Sequence, residues 1–177
     1  MAATDKKPNR TEFREAMAHL AAGVNILTTD GPGGRYGMTV SAVCSVTDTP
    51  PTILVCVNRG SATHDVVTGN RRVCVNVLGS HHEELAVHFS GATKVPMPER
   101  FDWNIWDRTE PVPVLPDALV NIIGLVRDRK PMGSHSVMFV EVERVRVRQG
   151  DSLVYFNRRF HSLAMSHNTP QNTVGDE

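Results

Sequence analysis

The spacing of apolar residues predicts one helix at the start of the chain. Three apolar residues there recur at i, i+4 and i+7, which places them on one helical face: Phe13, Met17 and Leu20. Asn9 and Glu12 stand before this face with the spacing of a capping box, and Gly23 follows it. The N-terminal segment is therefore predicted to form an amphipathic helix.

Patterns of period two and short apolar runs predict strands over most of the remaining chain. The first strand is predicted at residues 24–29, and a turn at 30–34 connects it to a second strand at 36–46. One parity of the second strand is apolar, whereas the other carries Thr39 and Ser41. We expect one face of this strand to pack on a core and the other to present hydroxyl groups.

Residues 52–57 follow an Asp-Thr-Pro-Pro turn and are apolar at successive positions, which is typical of a strand covered on both faces. Further strands are predicted at residues 72–78, 119–127, 135–148 and 153–157. Within the strand at 135–148 the apolar parity changes, which predicts a bulge near Glu143 and Arg144.

Short helices are predicted between these strands, one from Ser61, which is placed to cap it, and one from Ser80. Residues 92–117 are rich in proline and contain Trp103 and Trp106, and we interpret them as a functional loop or lid. Six or seven strands, mostly joined as hairpins and flanked by short helices, favour a mainly β protein with an antiparallel barrel.

Charge and composition exclude several classes of protein. The 177 residues fit one domain, and 19 Lys and Arg residues balance 19 Asp and Glu residues, so nucleic acid is not an expected partner. No segment approaches the roughly 20 apolar residues of a membrane span, and we expect a cytoplasmic protein without a membrane partner. Cys44, Cys56 and Cys74 lie in separate apolar runs, which is typical of buried thiols in a reducing compartment.

Two segments resemble known motifs but fail on spacing. In GPGGRYG the third glycine of a dinucleotide fingerprint would fall on Tyr36, and no helix is predicted after it. In HHEELAVH the residues His82 and His88 are too far apart to lie one helical turn from each other, as a zinc protease motif requires. We therefore predict no metal site and no self-sufficient catalytic side chain.

Four segments in order resemble the flavin reductase family with the FMN-binding split-barrel fold: GMTVSAVCSVTDTPPTILVCVNRGSATHDVV, CVNVLGSHHEELAVHFSG, RDRKPMGSHSVMFVEV and LVYFNRRFH. The resemblance extends from about Phe13 to His161. It implies a split β-barrel domain at residues 11–163, with flexible tails at 1–10 and 164–177. The reductase components of two-component aromatic hydroxylases are the most similar members.

The resemblance assigns flavin contacts to three segments. The strand with a T-x-S pattern would line the isoalloxazine ring, residues after the doubly covered strand would hold the ribityl and phosphate groups, and a helix end would lie beside the flavin. These residues are Thr39, Val40, Ser41, Ala42, Asn58, Ser61, Ala62, Thr63, Phe89, Ser90 and Gly91, with Arg100 near an adenosine phosphate.

General chemistry agrees with this assignment, because a flat ring suits small side chains and a phosphate suits hydroxyls and the free amides of a helix start. The residues alone leave simpler interpretations open: Ser61 as an N-cap only, and Thr39 and Ser41 as a solvated strand face. Relatives often carry serine at the position of Ala42, so a hydroxyl contact there is not expected in this chain.

The resemblance also assigns contacts to the nicotinamide nucleotide. His135 matches a histidine near the nicotinamide, where it would orient the ring without transferring a proton. The C-terminal motif that closes over the dinucleotide matches Tyr155, Arg158, Arg159 and His161. Without the resemblance, His135 would be an ordinary surface histidine and RRFH a solvated basic end.

The function implied by the resemblance is that of an NADH- or NADPH-dependent flavin reductase. Hydride would pass from the nicotinamide to FAD or FMN, and reduced flavin would diffuse to a separate FADH2-dependent monooxygenase. A homodimer is implied, with Trp103 and Trp106 in or near the contact. Two alternatives stay open: an oxidase that binds FMN tightly, of the pyridoxamine phosphate oxidase type, and a non-catalytic flavin-binding module.

Overall fold

A computed structural model describes residues 7–165. The helices are α1 (Arg10–Ala18), α2 (Ala62–Asn70), α3 (Glu83–Phe89) and α4 (Met97–Asp102), and a 3₁₀ turn (Ser80–His82) precedes α3. The strands are β1 (Ala22–Gly23), β2 (Asn25–Thr29), β3 (Tyr36–Val40), β4 (Val43–Asp48), β5 (Pro51–Asn58), β6 (Arg72–Val77), β7 (Val120–Met132), β8 (His135–Val147), β9 (Ser152–Phe156) and β10 (Arg159–Leu163).

The strands form two antiparallel sheets. Seven of them pair in the order β3-β2-β6-β7-β8-β5-β4, and β1, β9 and β10 form a separate sheet with β9 in the middle. The predicted class, a mainly β protein built on a six- or seven-stranded antiparallel barrel with short flanking helices, is confirmed. The three-stranded sheet was not predicted, because β1 has two residues and β10 begins within the basic segment RRFH.

The seven-stranded sheet curls because its two edge strands are consecutive in the chain. Only Ser41 and Ala42 separate β3 at one edge from β4 at the other. The predicted single strand at residues 36–46 is therefore wrong: it breaks at these two residues. Beside the break, the Asn25 side chain donates to the Val40 carbonyl at 3.1 Å, and the Cys56 N–H donates to the Ala42 carbonyl at 3.0 Å.

The interior of the barrel is filled from one face of each strand. On β5, Ile53, Val55 and Val57 are buried, whereas Leu54 and Cys56 between them are half-buried. The expectation that β5 is covered on both faces is wrong for the single chain, because Leu54 on its outer face lines a cavity. The buried cluster continues through residues of five neighbouring elements: Leu27, Val40, Val67, Val73, Val75, Met138 and Val140.

The predicted bulge in β8 is confirmed. Ile123 pairs with Arg144 and Gly124 pairs with Val142, so Glu143 is the extra residue. A Cβ added at Gly124 would collide with the Glu141 carbonyl oxygen and lie 2.8 Å from a Val140 methyl group. Glycine is required here because the bulge brings the two backbones so close.

Residues 92–117 contain α4 and pack aromatic side chains into the core, which does not fit a lid, while their role as a functional loop stays a prediction. Phe101 and Trp106 are 2% and 7% exposed, and both contact Phe89 of α3 edge to face. The Trp106 indole N–H donates to the Arg100 carbonyl at 2.8 Å. Since Trp106 is buried, it does not present a surface to a partner, whereas Trp103 is half-buried and lies against His88.

One buried amide ties this segment to the barrel. Asn76 is fully buried in β6, and its Nδ2 donates to the Ile26 carbonyl at 3.0 Å and approaches the Thr28 hydroxyl. Its Oδ1 accepts from the Leu115 N–H at 2.8 Å and from the Asn121 side chain at 2.9 Å. Asn76 thus joins two strands and the 92–117 segment through a single side chain.

The predicted N-terminal helix is confirmed as α1, together with its capping box between Asn9 and Glu12. Its apolar face is not covered, however, since Phe13, Met17 and Leu20 are 57%, 46% and 64% exposed. The expected tails at 1–10 and 164–177 lie mostly outside the described residues, although α1 already begins at Arg10. The domain limits of 11–163 stay a prediction.

The three cysteines differ in their surroundings. Cys74 is buried, which raises the pKa of its thiol to about 12, and burial also raises that of half-buried Cys56. Cys44 is exposed on the outer face of β4, so the expectation that all three thiols are buried is wrong. None of the helices described here is long and apolar enough to span a membrane.

Candidate functional site

A cleft lies between the β3–β4 break, the end of α3 and the β9–β10 hairpin. Its volume is about 360 Å³. Five residues assigned from the resemblance line it: Thr39, Ser41, Ser90, Tyr155 and Arg158. The remaining wall is formed by Val24, Val87, Ala92 and Phe160. We call this space the Thr39 cleft.

The polar groups of the Thr39 cleft are held by the backbone of α3. The Thr39 hydroxyl donates to the Ala86 carbonyl at 2.6 Å, and the Ser90 hydroxyl donates to the Val87 carbonyl at 2.8 Å. On the opposite wall the rings of Tyr155 and Phe160 meet edge to face at 5.3 Å. Small side chains on one side and aromatic rings on the other suit a flat, stacked ligand.

Ser41 stands where three cavities meet. Besides the Thr39 cleft it lines a cavity of about 580 Å³ against α1 and a cavity of about 520 Å³ that reaches Leu54 on β5. Ala42 lines the last of these. Both residues are exposed, and the break in the strand leaves their backbone outside the regular pairing of β3 and β4.

The start of α2 forms a second group of assigned residues: Asn58, Ser61, Ala62 and Thr63. Ser61 occupies the N-cap position without capping the helix, because its hydroxyl donates to the Asn58 carbonyl at 2.7 Å. The Asn58 side chain accepts from the Gly60 N–H at 2.9 Å. The first amides of a helix have no intrahelical partner, so those of Ala62 and Thr63 can meet an anion.

The outer face of β5 connects the two groups. Side chains alternate along a strand, so Leu54, Cys56 and Asn58 share one face. Cys56 bonds to Ala42 beside the β3–β4 break, and Asn58 lies two residues further on, about 7 Å along the strand. An elongated ligand can therefore extend from the Thr39 cleft past Ala42 to the start of α2.

His135 lies beside the start of α2. It is the cross-strand partner of Asn58, it is exposed, and its Nδ1 lies 2.9 Å from the Ser134 hydroxyl. The Arg59 N–H donates to the Ser134 carbonyl, which fixes this corner. His135 is thus next to the residues assigned to the phosphate, and its role toward the nicotinamide stays a prediction.

The β9–β10 hairpin divides its assigned residues between two faces. Phe160 pairs with Tyr155 and lines the Thr39 cleft with it, whereas His161 pairs with Val154 on the other face. His161 Nε2 contacts the Phe156 carbonyl at 3.2 Å, and Arg159 is exposed on the same side. The single chain therefore brings Tyr155 to the cleft but not Arg159 or His161.

Arg158 links the cleft to the N-terminal helix. It occupies the tight hairpin turn in a left-handed conformation, with a φ of 61°, and its guanidinium donates to the Glu15 carboxylate at 2.6 Å. This hydrogen bond lowers the pKa of Glu15 and raises that of Arg158. No local pattern predicts this contact, since the two residues are far apart in the chain.

Four assigned residues are buried, namely Val40, Thr63, Phe89 and Arg100. The side chains of Val40 and Phe89 belong to the core, so only their backbones can reach a ligand. Arg100 is 6% exposed, and its Nε and Nη2 both donate to the Val95 carbonyl while the guanidinium lies over the Phe89 ring. Its contact with an adenosine phosphate stays a prediction. Gly91 is exposed and adopts a φ of 85° after the end of α3.

A separate cavity of about 320 Å³ lies on the opposite face of α3, beside His81, His82 and Asp117. The His81 and His82 Nε2 atoms lie 3.5 and 3.2 Å from Asp117 Oδ2. The Gly79 N–H donates to His82 Nδ1 at 3.1 Å, so the neutral ring carries its proton on Nε2, the atom that a metal would need. This bonding disfavours a metal ion at His82.

Acid should destabilise the fold through His82. Burial lowers the pKa of its imidazole below the ordinary value of 6.5. Between the two pKa values the unfolded chain binds more protons, so stability is lost as the pH falls below 6.5. His82→Gln keeps an acceptor for Gly79 and should flatten the dependence of the unfolding free energy on pH between 5 and 7, as measured by urea titration. An unchanged slope would contradict this account.

Comparison with known proteins identifies the family. The description "Flavin reductase like domain" matches residues 17–164. The chain belongs to the flavin reductase family. It is 50% identical over 159 residues to the 4-hydroxyphenylacetate 3-monooxygenase reductase component of Pseudomonas aeruginosa, covering 89% of this chain and 94% of that protein.

Two further members of the flavin reductase family show the range of the similarity. The FMN reductase (NADH) RutF of Pantoea ananatis is 48% identical over 156 residues, which cover 87% of this chain and 81% of that protein. The solved structure of the styrene monooxygenase flavin reductase from Pseudomonas putida S12 has a TM-score of 0.75 at 25% identity, covering 87% of this chain and 98% of that chain.

Proposed function

We propose that this protein is an NADH-dependent flavin reductase that reduces FAD or FMN and releases the reduced flavin to a separate monooxygenase. The observation that carries the proposal is the convergence of Thr39, Ser41, Ser90 and Tyr155 on one cleft in a chain of this family. The similarity to a monooxygenase reductase component and to an NADH-dependent FMN reductase supports the choice of substrates.

In the proposed complex the isoalloxazine ring lies in the Thr39 cleft and the ribityl chain follows β5 to the start of α2. When both are bound, the nicotinamide and the flavin would supply the chemistry of hydride transfer. The protein would position the two rings and exclude water, and positioning can contribute up to about 7 to 11 kcal/mol in the best-oriented reactions. No protein group takes part in covalent chemistry.

The roles of the assigned residues follow from where they lie. Thr39 and Ser90 are fixed to α3 by their hydroxyls, which gives the cleft a rigid wall. Tyr155 supplies an aromatic face across from them, and Arg158 provides a positive charge at the rim. We propose that the α2 amides bind the flavin phosphate and that His135, next to Asn58, contacts the nicotinamide nucleotide.

Ala62→Pro should weaken FMN binding by roughly tenfold while leaving riboflavin binding unchanged. Proline at the first helical position removes one N–H donor without disturbing the helix, and Ser61 before it is already extended, with a ψ of 143°. A hydrogen bond to a charged group is worth about 1.5 to 3 kcal/mol. Flavin fluorescence titrations give both affinities, with Ser61→Ala as the matched control for a hydroxyl that is bonded to Asn58. Equal weakening of FMN and riboflavin would contradict a phosphate site.

The activity itself is tested by following NADH absorbance after adding FAD or FMN to desalted protein. We expect desalting to remove most of the flavin, because a carrier must dissociate, and we expect a dissociation constant on the order of micromolar. Product formed by an FADH2-dependent hydroxylase across a dialysis membrane would support diffusion of reduced flavin. Flavin that survives desalting at full occupancy, with no product across the membrane, would instead favour a tight-FMN oxidase, and binding without NADH oxidation would favour a non-catalytic module.

We further propose that the protein is a cytoplasmic homodimer. Phe13 and Met17 of α1 and Leu20 just after it are exposed, and α1 borders the largest of the cavities that meet at Ser41. A second chain seated there would cover these side chains and complete the wall of the ligand site. Light scattering of the native protein should give twice the mass of one chain, and Met17→Glu should shift the mass toward that of the monomer. The free thiols are in keeping with a reducing compartment.

A further inference from the structure

A buried histidine in the first turn of α2 links that helix to β8. His64 is 7% exposed, and its Nε2 lies 3.0 Å from the hydroxyl of Ser136, which is 2% exposed. On the other side of the ring, Nδ1 lies 3.1 Å from the Asp65 carboxylate. Both ring nitrogens are therefore bonded, and the imidazole has one fixed orientation between the helix and the strand.

The order Asp65, His64, Ser136 is that of a catalytic triad, but the burial excludes this use. A nucleophile must reach its substrate, whereas Ser136 is enclosed in the barrel wall beneath α2. Instead, the two hydrogen bonds hold the His64 ring in place between α2 and β8. We call the pair of His64 and Ser136 the strut. The Ser136 hydroxyl shares one hydrogen bond with the His64 ring. The position of that ring is set by Asp65, the next residue in the chain.

The strut lies next to two places where residues were assigned from the resemblance: the start of α2 and His135. His64 donates its own backbone N–H to the Ser61 carbonyl at 3.0 Å, so it belongs to the turn that carries the amides of Ala62 and Thr63. Ser136 directly follows His135, the cross-strand partner of Asn58. The buried hydrogen bond between His64 and Ser136 thus sets the distance between the start of α2 and the start of β8.

We propose that His64 is a positioning residue for phosphate recognition: through Ser136 it holds the first turn of α2 so that its amides converge on the flavin phosphate. This inference rests on the proposed function, which places the phosphate at that turn. The Thr39 cleft is walled by β3, α3 and the β9–β10 hairpin, whereas the hydrogen bonds of the His64 ring go to Asp65 and to Ser136 of β8. The strut should therefore affect the phosphate and not the ring of the flavin.

The test compares FMN with riboflavin, which lacks only the phosphate, in fluorescence titrations of the native protein and three variants. His64→Phe keeps the ring volume without its nitrogens, Ser136→Ala removes the partner, and the third variant combines them. We expect the FMN dissociation constant to rise on the order of tenfold in each single variant and no further in the double variant. The riboflavin constant should change less than twofold.

Thr28→Val serves as the control for general destabilisation. Thr28 is fully buried, and its hydroxyl donates to the Pro113 carbonyl at 2.6 Å, far in sequence from either assigned group. This variant should lower the melting temperature without changing the ratio of the FMN and riboflavin constants. A matching change of that ratio in Thr28→Val would show that the ratio follows stability and would overturn the proposal.

Three other outcomes of the titrations would also decide whether His64 has this positioning role. Parallel losses for FMN and riboflavin, no loss for either, or effects that multiply in the double variant would each overturn the positioning role. NADH oxidation by the native protein is measured separately. If the native protein binds both flavins without oxidising NADH, the proposed reductase function fails, while the affinity ratio still tests His64.

Discussion

Replacing Ser41 with tryptophan is expected to lower NADH-dependent flavin reduction by about tenfold or more. Ser41 is exposed, so the larger side chain does not enter the core, yet it lines all three cavities that meet at the β3–β4 break. An indole there would occupy the space that we assign to the stacked rings. The loss should appear in the KM for flavin and in kcat, since both binding and alignment are affected.

A matched tryptophan at Gln149 separates this effect from a general cost of surface indoles. Gln149 is exposed in the turn between β8 and β9 and lines none of the cavities around Ser41. Gln149→Trp should keep native kinetics, and both variants should keep the native melting temperature within about 2 °C. Native activity in Ser41→Trp would show that the rings bind elsewhere.

Asn76→Leu is expected to cost about 3 to 4 kcal/mol of unfolding free energy, the largest loss of stability anticipated for a single side chain here. Leucine has a similar volume, so little cavity forms, but the Leu115 N–H and the Ile26 carbonyl lose their bonds to this side chain in a site without solvent. Each buried group left without a partner costs about 1 to 3 kcal/mol. The melting temperature should fall by roughly 10 °C.

The control is Asn104→Leu, which makes the same chemical change at an exposed position. Its effect should stay within about 0.5 kcal/mol. Guanidinium unfolding followed by circular dichroism gives both values. If the two variants lose similar stability, the Asn76 network does not hold the 92–117 segment in the way its hydrogen bonds indicate.

The sequence predicts those structural features that depend only on residues close together in the chain. The capping box at Asn9 and the bulge at Glu143 both follow from spacing within a few residues, and both are found. The resemblance assigned ligand contacts to Thr39 and Ser41, to Ser90 and to Tyr155 in three separate segments, and these residues converge on one cleft. Family motifs carry this long-range information, which periodicity alone does not contain.

The remaining features depend on contacts between distant segments. The strand at 36–46 has an unbroken alternation, and only closure of the sheet explains its break at Ser41. Residues 92–117 contain only the short helix α4, which is too brief to show a periodicity, and their apolar residues Phe101 and Trp106 pack against distant parts of the core. Likewise, a bond between Glu15 and Arg158 leaves no trace in either local sequence.

The hydrogen bond between Arg158 and Glu15 has a consequence for folding during synthesis. Glu15 and the neighbouring carbonyl of Ala18 contact Arg158 and Asn157, and β1 pairs with Tyr155. Helix α1 is therefore synthesised well before the β9–β10 hairpin on which it docks, and the delay is the time needed to add the residues between Glu15 and Arg158. At about 5 to 20 residues per second, this delay is on the order of 10 s. Throughout that time α1 and β1 lack the partners that they have in the folded protein, so we expect a holdase to bind this segment of the nascent chain.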